Sequence, residues 1–319
     1  MPRDNNGSDV RTLTVTESLL NLDDDEAFLR WREAKLESYP AHAGDLMVEV
    51  KDPARLSDSE FIALMTRIGR ANMAVYVAPP DYTVTKETVR AVDSRFGLRR
   101  LDRNLKSDDD GISSLCVTEG QTKKGAHYIP YSNRPINWHT DGYYNPPGRT
   151  IRAMALHCAS EAGAGGENAL FDPDMAYMLL REKNPEWLRA LCHPRAMTIP
   201  ANEEEEGYVR PEQSGPVFSS NPGSGIGGVS LHMRFTARTR SIQWRDDDLT
   251  RQAVAFLIEF LNGSSPYVFR HRLEAGQGLI CNNVLHNRTG FSDNPSDGRK
   301  RLIFRARYLD RIKPEARYV

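Results

Sequence analysis

From about Ile112 onward the chain is cut into short β-rich pieces by clusters of Gly, Pro and Asn, and this punctuation constrains the fold more than anything else in the sequence. The pieces are ISSLCV (112–117), HYIPY (127–131), INWHTD (136–141), IRAMALHC (151–158), ENALFD (167–172), AMTIP (196–200), PVFSS (216–220) and VSLHMRFT (229–236), then YVFRHRLE (267–274), GLICNNV (278–284) and RLIFRARYL (301–309). Short runs rich in β-branched and aromatic residues, bounded by turn formers, read as strands. Helical patterning interrupts them only at 173–189 and about 247–262. A doubly wound fold would alternate strands and helices regularly. The expectation is therefore a mainly β protein, an antiparallel sandwich or jelly roll.

Residues ahead of this region read differently. Residues 1–22 are polar and suit an arm or a short strand. Helices are expected over 24–38, which Pro40 ends, over 57–70, where Ser57-x-x-Glu60 fits a capping box, and over 86–96. A β-rich run, ANMAVYVAPP, lies between the last two. Residues 1–100 are thus expected as a helical and mixed region packed on a catalytic core over 101–319, the whole forming one continuous unit without internal repeats.

Charge and composition narrow the partners. Lys and Arg number 42 against 43 Asp and Glu, so no global basic field exists to hold nucleic acid. No apolar run approaches the ~18 residues of a membrane helix, and the N-terminus lacks the apolar stretch of a signal peptide. Cys116, Cys158, Cys192 and Cys281 have no metal-ligand spacing and suit reduced thiols. The expectation is a cytoplasmic protein whose partner is a small molecule, with neither nucleic acid nor membrane; self-association into a homo-oligomer stays open.

Two motifs mislead. Residues 223–228 carry the spacing G-x-G-x-x-G, but the run leads into a strand-like segment rather than a helix, so it reads as a hairpin loop. The acidic run 203–206 has no histidine beside it and reads as a solvated loop.

The segment Asn137-Trp138-His139-Thr140-Asp141 is the informative one. On a strand, positions i and i+2 share a face, so His139 and Asp141 can offer an imidazole and a carboxylate to one metal. His286, at the end of the apolar run 278–284, is the candidate third ligand. Two His and one carboxylate suit Fe(II) with open positions for a co-substrate and O2. Alternation along 301–309 puts Arg301, Ile303 and Arg305 on one face. Arginines on an inner face are costly unless they meet an anion, and a guanidinium fork matches a carboxylate. Together these residues suit an iron site with a clamp for a dicarboxylate.

In this order and spacing the chain resembles the Fe(II)- and 2-oxoglutarate-dependent dioxygenases of the taurine dioxygenase superfamily, over about residues 130–310. The resemblance implies a double-stranded β-helix (jelly roll, cupin-like) with flanking N-terminal and inserted helices. It implies Fe(II) held by His139, Asp141 and His286, and 2-oxoglutarate clamped by Arg301, with Arg305 near co-substrate or substrate. Gly165-Gly166-Glu167-Asn168 resembles a family segment whose threonine helps hold 2-oxoglutarate; here Asn168 stands in its place. The gap from His286 to Arg301 is slightly long for the family, which keeps Arg299 as an alternative clamp.

A narrower resemblance links HTDGYYNPPGRTIRAMALHC and LHMRFTARTRS to γ-butyrobetaine and trimethyllysine hydroxylases, although Thr236-Ala237 replaces their paired asparagines. Tyr143 and Tyr144 either begin an aromatic cage for a quaternary amine or pack the sandwich. Arg234 is the preferred substrate-facing arginine of its strand, while Arg238 and Arg240 are expected to pair with Asp246, Asp247 and Asp248. Asn137, Asn283 and Arg288 flank the ligands as pocket candidates. Trp138 reads as a core residue shielding the iron, and His157 and His232 as structural.

The implied reaction is hydroxylation of an unactivated C–H in a small polar, anionic metabolite, with release of succinate and CO2. A betaine-type substrate is the alternative within enzymes. A non-catalytic jelly roll that binds a metal or an anion is the alternative outside them.

Overall fold

The computed structural model describes residues 21–103, 108–117, 129–203, 209–222, 229–293 and 300–313. The arm over 1–20, the glycine run 223–228, residues 204–206 of the acidic run and Arg299 lie outside them.

The architecture is mainly β, built on two sheets. The larger has the order β1 (Met47–Glu49), β2 (Met73–Val77), β16 (Gln277–Cys281), β5 (Ala153–Ser160), β19 (Leu302–Tyr308) and β3 (Ser113–Leu115). Only the β1–β2 pair is parallel. The smaller sheet has the order β15 (Phe269–His271), β7 (Asn168–Phe171), β17 (Leu285–Arg288) and β4 (Ile136–His139), all antiparallel.

Alternation along each strand sorts side chains into layers. Met73, Val75, Met154, Leu156, Leu279 and Ile303 of the larger sheet share an apolar cluster with Leu170 and Phe269 of the smaller one, so these faces meet. The intervening residues Ala74, Tyr76, Ile280, Phe304 and Tyr308 point outward, under helices α2 (Asp58–Ala71) and α3 (Lys86–Arg95). Trp138, Ala169, Phe171 and Leu285 form the outer face of the smaller sheet. They lie under α1 (Asp25–Ser38), α4 (Pro173–Lys183), α5 (Pro185–Leu191) and α6 (Asp248–Asn262).

Ser57 and Glu60 form the expected reciprocal cap at the start of α2: the Ser57 hydroxyl accepts from the Glu60 amide, and the Glu60 carboxylate from the Ser57 amide. Four expectations need correction. The helix expected over 173–189 is two helices, because Pro185 disfavours a helical conformation at Asn184. Asn184 is extended, and its side chain caps α5 through the Glu186 amide. In HYIPY, residues 129–131 form one 3-10 turn instead of a strand. The run 278–284 ends as a strand at Cys281, after which the chain turns through Asn283 (φ 51°) into β17 of the other sheet. Finally, residues 1–100 do more than pack on the core, since β1 and β2 are strands of its larger sheet.

One row of the larger sheet depends on a missing side chain. Gly278 pairs with Tyr76 on one side and His157 on the other. The Tyr76 ring leans over the glycine, and its hydroxyl meets His157 Nδ1 at 2.9 Å. A Cβ at 278 would run into the Tyr76 ring, and both partners are fully buried. Gly278→Ala should therefore cost about 1–3 kcal/mol of stability through overpacking. Denaturant unfolding would measure this, and an unchanged midpoint would contradict it.

Candidate active site

The site begins with two histidines in register. His139 of β4 lies directly opposite His286 of β17, their ring centroids 4.3 Å apart. Trp138 and Leu285 occupy the outer face, so alternation turns both imidazoles toward the other sheet. In each ring Nδ1 donates to the carbonyl two residues back, that of Asn137 or Val284, at 2.9 Å. That bond fixes the tautomer and leaves Nε2 as the lone-pair atom. Asp141 follows in the turn after β4. Asn283 locks it there: its Oδ1 accepts from the Asp141 amide at 2.8 Å, and its Nδ2 donates to the carbonyls of Asp141 (3.0 Å) and Ile151 (2.8 Å).

One potential ligand atom from each of His139, Asp141 and His286 lies within 4.8 Å of the others. Burial holds the His139 imidazole down to about 3, helped by His286, and burial lowers His286 too. Burial alone would raise the Asp141 carboxyl, but Arg305 and then Arg307 outweigh it and hold it below the ordinary carboxylate range. Neutral imidazoles beside an ionised carboxylate are the protonation states a metal needs. Asp141 Oδ2 is buried without a hydrogen-bond partner. That orphaned atom, the aimed Nε2 atoms and the mixed donor set fit a divalent iron.

The facing sheet supplies cations. Arg301, Arg305 and Arg307 share the inner face of the β19 region with Ile303. Arg305 Nη1 stands 3.5 Å from Asp141 Oδ1. Arg307, one alternation further, escaped the sequence reading although the same period-two count reaches it. It donates to Asp102 at 2.5 Å and to the Tyr144 hydroxyl at 2.9 Å.

Arg301 forms a separate group with Arg288. Both guanidiniums lie over the Phe291 ring, at 4.8 and 4.9 Å from its centroid. Among the described residues no carboxylate pairs with either side chain. Burial lowers both, Arg288 to about 10 with Arg301 as the second cause. Two buried cations on one ring make a place for an anion. The glycine pair shapes it. A Cβ on Gly165 (φ 69°) would strike the Gly290 carbonyl, and one on Gly166 (φ 76°) would lie 3.6 Å from Arg301 Nε.

The remaining candidates divide. Asn168 is buried and donates to the Asn287 carbonyl at 2.9 Å, joining β7 to β17. The Arg288 Nη2 donates to the carbonyls of Ser132 and Arg134, on the Arg301 side of the site. Asn137 is exposed and serves His139 through its carbonyl. Asn283 holds Asp141 and Ile151 rather than facing a substrate. Arg234 is corrected outright: its guanidinium donates to the carbonyls of Tyr143 (2.6 Å), Met197 (2.9 Å) and Gln213 (2.9 Å), which commits it to the fold. Trp138 is core, on the face opposite His139.

Tyr143 presents its ring edge to His139 at 6.3 Å and to Tyr144 at 5.1 Å. Arg238 donates to the Tyr143 hydroxyl at 3.0 Å, and Arg210 lies over the Tyr144 ring at 5.7 Å. The pairing expected for Arg238 and Arg240 does not form. Arg251 takes Asp246 and Asp248, and Arg245 takes Asp247.

The Asn283 contacts generate a prediction. Outer partners of metal ligands typically contribute 10–100-fold in affinity. Asn283→Ala should therefore weaken Fe(II) or Mn(II) binding by about 10–100-fold, measured by titration of the metal-free protein. Wild-type affinity would contradict that role.

Three comparisons bear on this geometry. The family model described as taurine catabolism dioxygenase TauD, TfdA family matches residues 48–307. A uridine-5′-phosphate dioxygenase from Streptomyces sp is 30% identical over 255 residues, covering 73% of this chain and 86% of that protein. Among solved structures, the non-haem iron oxygenase OrfP in complex with Fe, succinate and (3S)-hydroxy-L-Arg superposes with a TM-score of 0.57 at 15% identity, covering 81% of this chain and 82% of that one. A taurine dioxygenase from Burkholderia xenovorans gives a TM-score of 0.52 at 16% identity, over 85% and 89% of the two chains. The chain belongs to the TauD, TfdA family of dioxygenases.

Proposed function

We propose that this dioxygenase holds Fe(II) with His139, Asp141 and His286, and clamps the distal carboxylate of 2-oxoglutarate with Arg301. Arg305 and Asn168 stand beside the co-substrate, and the two facing sheets form a double-stranded β-helix. The observation that carries the reading is the triad itself: two neutral imidazoles and one ionised, half-unpartnered carboxylate, all turned toward a row of arginines. When bound, iron and 2-oxoglutarate supply O2 activation, with the co-substrate leaving as succinate and CO2 while a substrate C–H is hydroxylated. The chain's own residues bind, orient and exclude water. Arg305 keeps Asp141 ionised at 3.5 Å without consuming its lone pairs in a tight bond, and the shared apolar cluster between the sheets keeps solvent out.

For the substrate we read a small anionic metabolite bearing a phosphate. The support is chemical and comparative: guanidiniums surround the tyrosines, and the relative at 30% identity is named for a nucleoside phosphate. The stretches resembling γ-butyrobetaine hydroxylase would favour a quaternary amine caged by Tyr143 and Tyr144. Arg238, Arg210 and Arg307 oppose that, since they already occupy the hydroxyls and one ring face with positive charge.

Anaerobic Fe(II) and 2-oxoglutarate should give the visible charge-transfer band of the chelate in wild type and none in His139→Ala. Arg301→Ala should keep the iron site but weaken 2-oxoglutarate binding by at least ~30-fold, from a loss of about 2–5 kcal/mol when one partner of a buried charge pair is removed. An undiminished band in His139→Ala would overturn the iron assignment. Unchanged co-substrate affinity in Arg301→Ala would overturn the clamp.

A further inference from the structure

We infer that Arg238, carried to the site by the segment that pairs with His139, anchors the anionic end of the substrate as the receptor for a phosphate monoester. The inference rests on the reading of an anionic, phosphate-bearing substrate.

The backbone does the delivering. Thr236 forms an isolated antiparallel bridge with His139 itself. The Thr140 amide donates to the Phe235 carbonyl at 3.0 Å, and the Ala237 amide to the Trp138 carbonyl at 2.8 Å. The segment 235–237 is thereby laid along the free edge of β4, and Arg238 follows two residues after the bridge. The Thr236 hydroxyl accepts from the Arg238 amide at 3.4 Å, which steadies the turn-off point.

The side chain is then aimed and left unsatisfied. One Nη donates to the Tyr143 hydroxyl at 3.0 Å, and the Tyr143 ring stands edge-on to His139. The acids that sequence position would have offered it are taken by Arg245 and Arg251. Arg238 is exposed, so its other donors face solvent at the edge of the site. A guanidinium fork with free donors matches two oxygens of a phosphate, as a lysine ammonium does not. Arg234, four positions closer to the strand, cannot compete, because backbone carbonyls already hold it.

The test uses uridine 5′-phosphate, uridine and inorganic phosphate as probes on the Fe(II)- and 2-oxoglutarate-loaded enzyme. Succinate release gives kcat and KM, and calorimetry under anaerobic conditions gives phosphate affinity. The charge-transfer band in each variant checks that the iron site is intact. Arg238→Gln should raise KM for uridine 5′-phosphate by about ten- to hundredfold, the range for losing a charge-assisted hydrogen bond, with kcat within about twofold. It should also abolish phosphate binding. Arg238→Lys should recover only part of both, and Tyr143→Phe should raise KM less than Arg238→Gln. If wild type turns over uridine 5′-phosphate and Arg238→Gln matches it in KM and phosphate affinity, the anchor is wrong and the substrate reading stands. If neither nucleoside compound couples but phosphate binding is lost in Arg238→Gln, the anchor stands and the substrate reading falls. If wild type neither couples nor binds phosphate, both fall.

Discussion

A carboxylate on one sheet is kept ionised by guanidiniums on the other, and the rest of the site depends on that pairing. Asp141 is buried, and burial alone would favour its neutral form. A protonated Asp141 would be a poor metal ligand. Arg305, 3.5 Å away, and Arg307 beyond it reverse the preference. The length of the Arg305 contact matters as much as its sign. A short bidentate pair would occupy the oxygens that a metal needs. A long one supplies the field and leaves Oδ2 without a partner.

The pairing works only if Asp141 is held in place by something other than its charge. Asn283 does this with three hydrogen bonds, two of them to the Asp141 backbone. It sits where the chain leaves the larger sheet and enters the smaller, three residues before His286. The left-handed backbone there, which asparagine tolerates better than most residues, makes the crossover. One residue thus fixes the carboxylate ligand and sets the path that delivers the second histidine.

How much of this was legible in the sequence follows from the range of each interaction. His139 and Arg305 could be placed because strand alternation is local and strict, and the same count should have yielded Arg307; Asp141 lies in the turn after β4 and Arg301 just ahead of β19, so the count reached them only by extension past the strand ends. His286 was found, but not its own strand, because the break at Asn283 hides inside an apolar run. Proline at 185 was enough to split the helix and was passed over. Arg234 was misread because alternation gives a face, not what meets the guanidinium; its carbonyl partners come from Tyr143, Met197 and Gln213, in separate segments. Arg238 failed in the opposite sense. Asp248 and Arg251 lie three apart on one helix, and Asp246 and Asp247 also have nearer arginines, so local pairs outcompeted the expected one.

The even charge balance of the chain conceals how uneven this interior is. Arg301 and Arg288 share Phe291 at one end of the β19 row, while Arg305 and Arg307 stand four and six residues along it, about 13 Å and more by strand rise. Asp141 and Asp102 are the carboxylates set against them, and Asp102 also holds Arg149. Placing a divalent metal between the histidines would deepen the surplus. A dicarboxylate at the Arg301 end would offset part of it, at a distance from the tyrosines that leaves Arg238 without a carboxylate among the described residues. Arg238, exposed beside Tyr143, offers a place for a second anion separate from the first, and its positive charge disfavours a cationic group there.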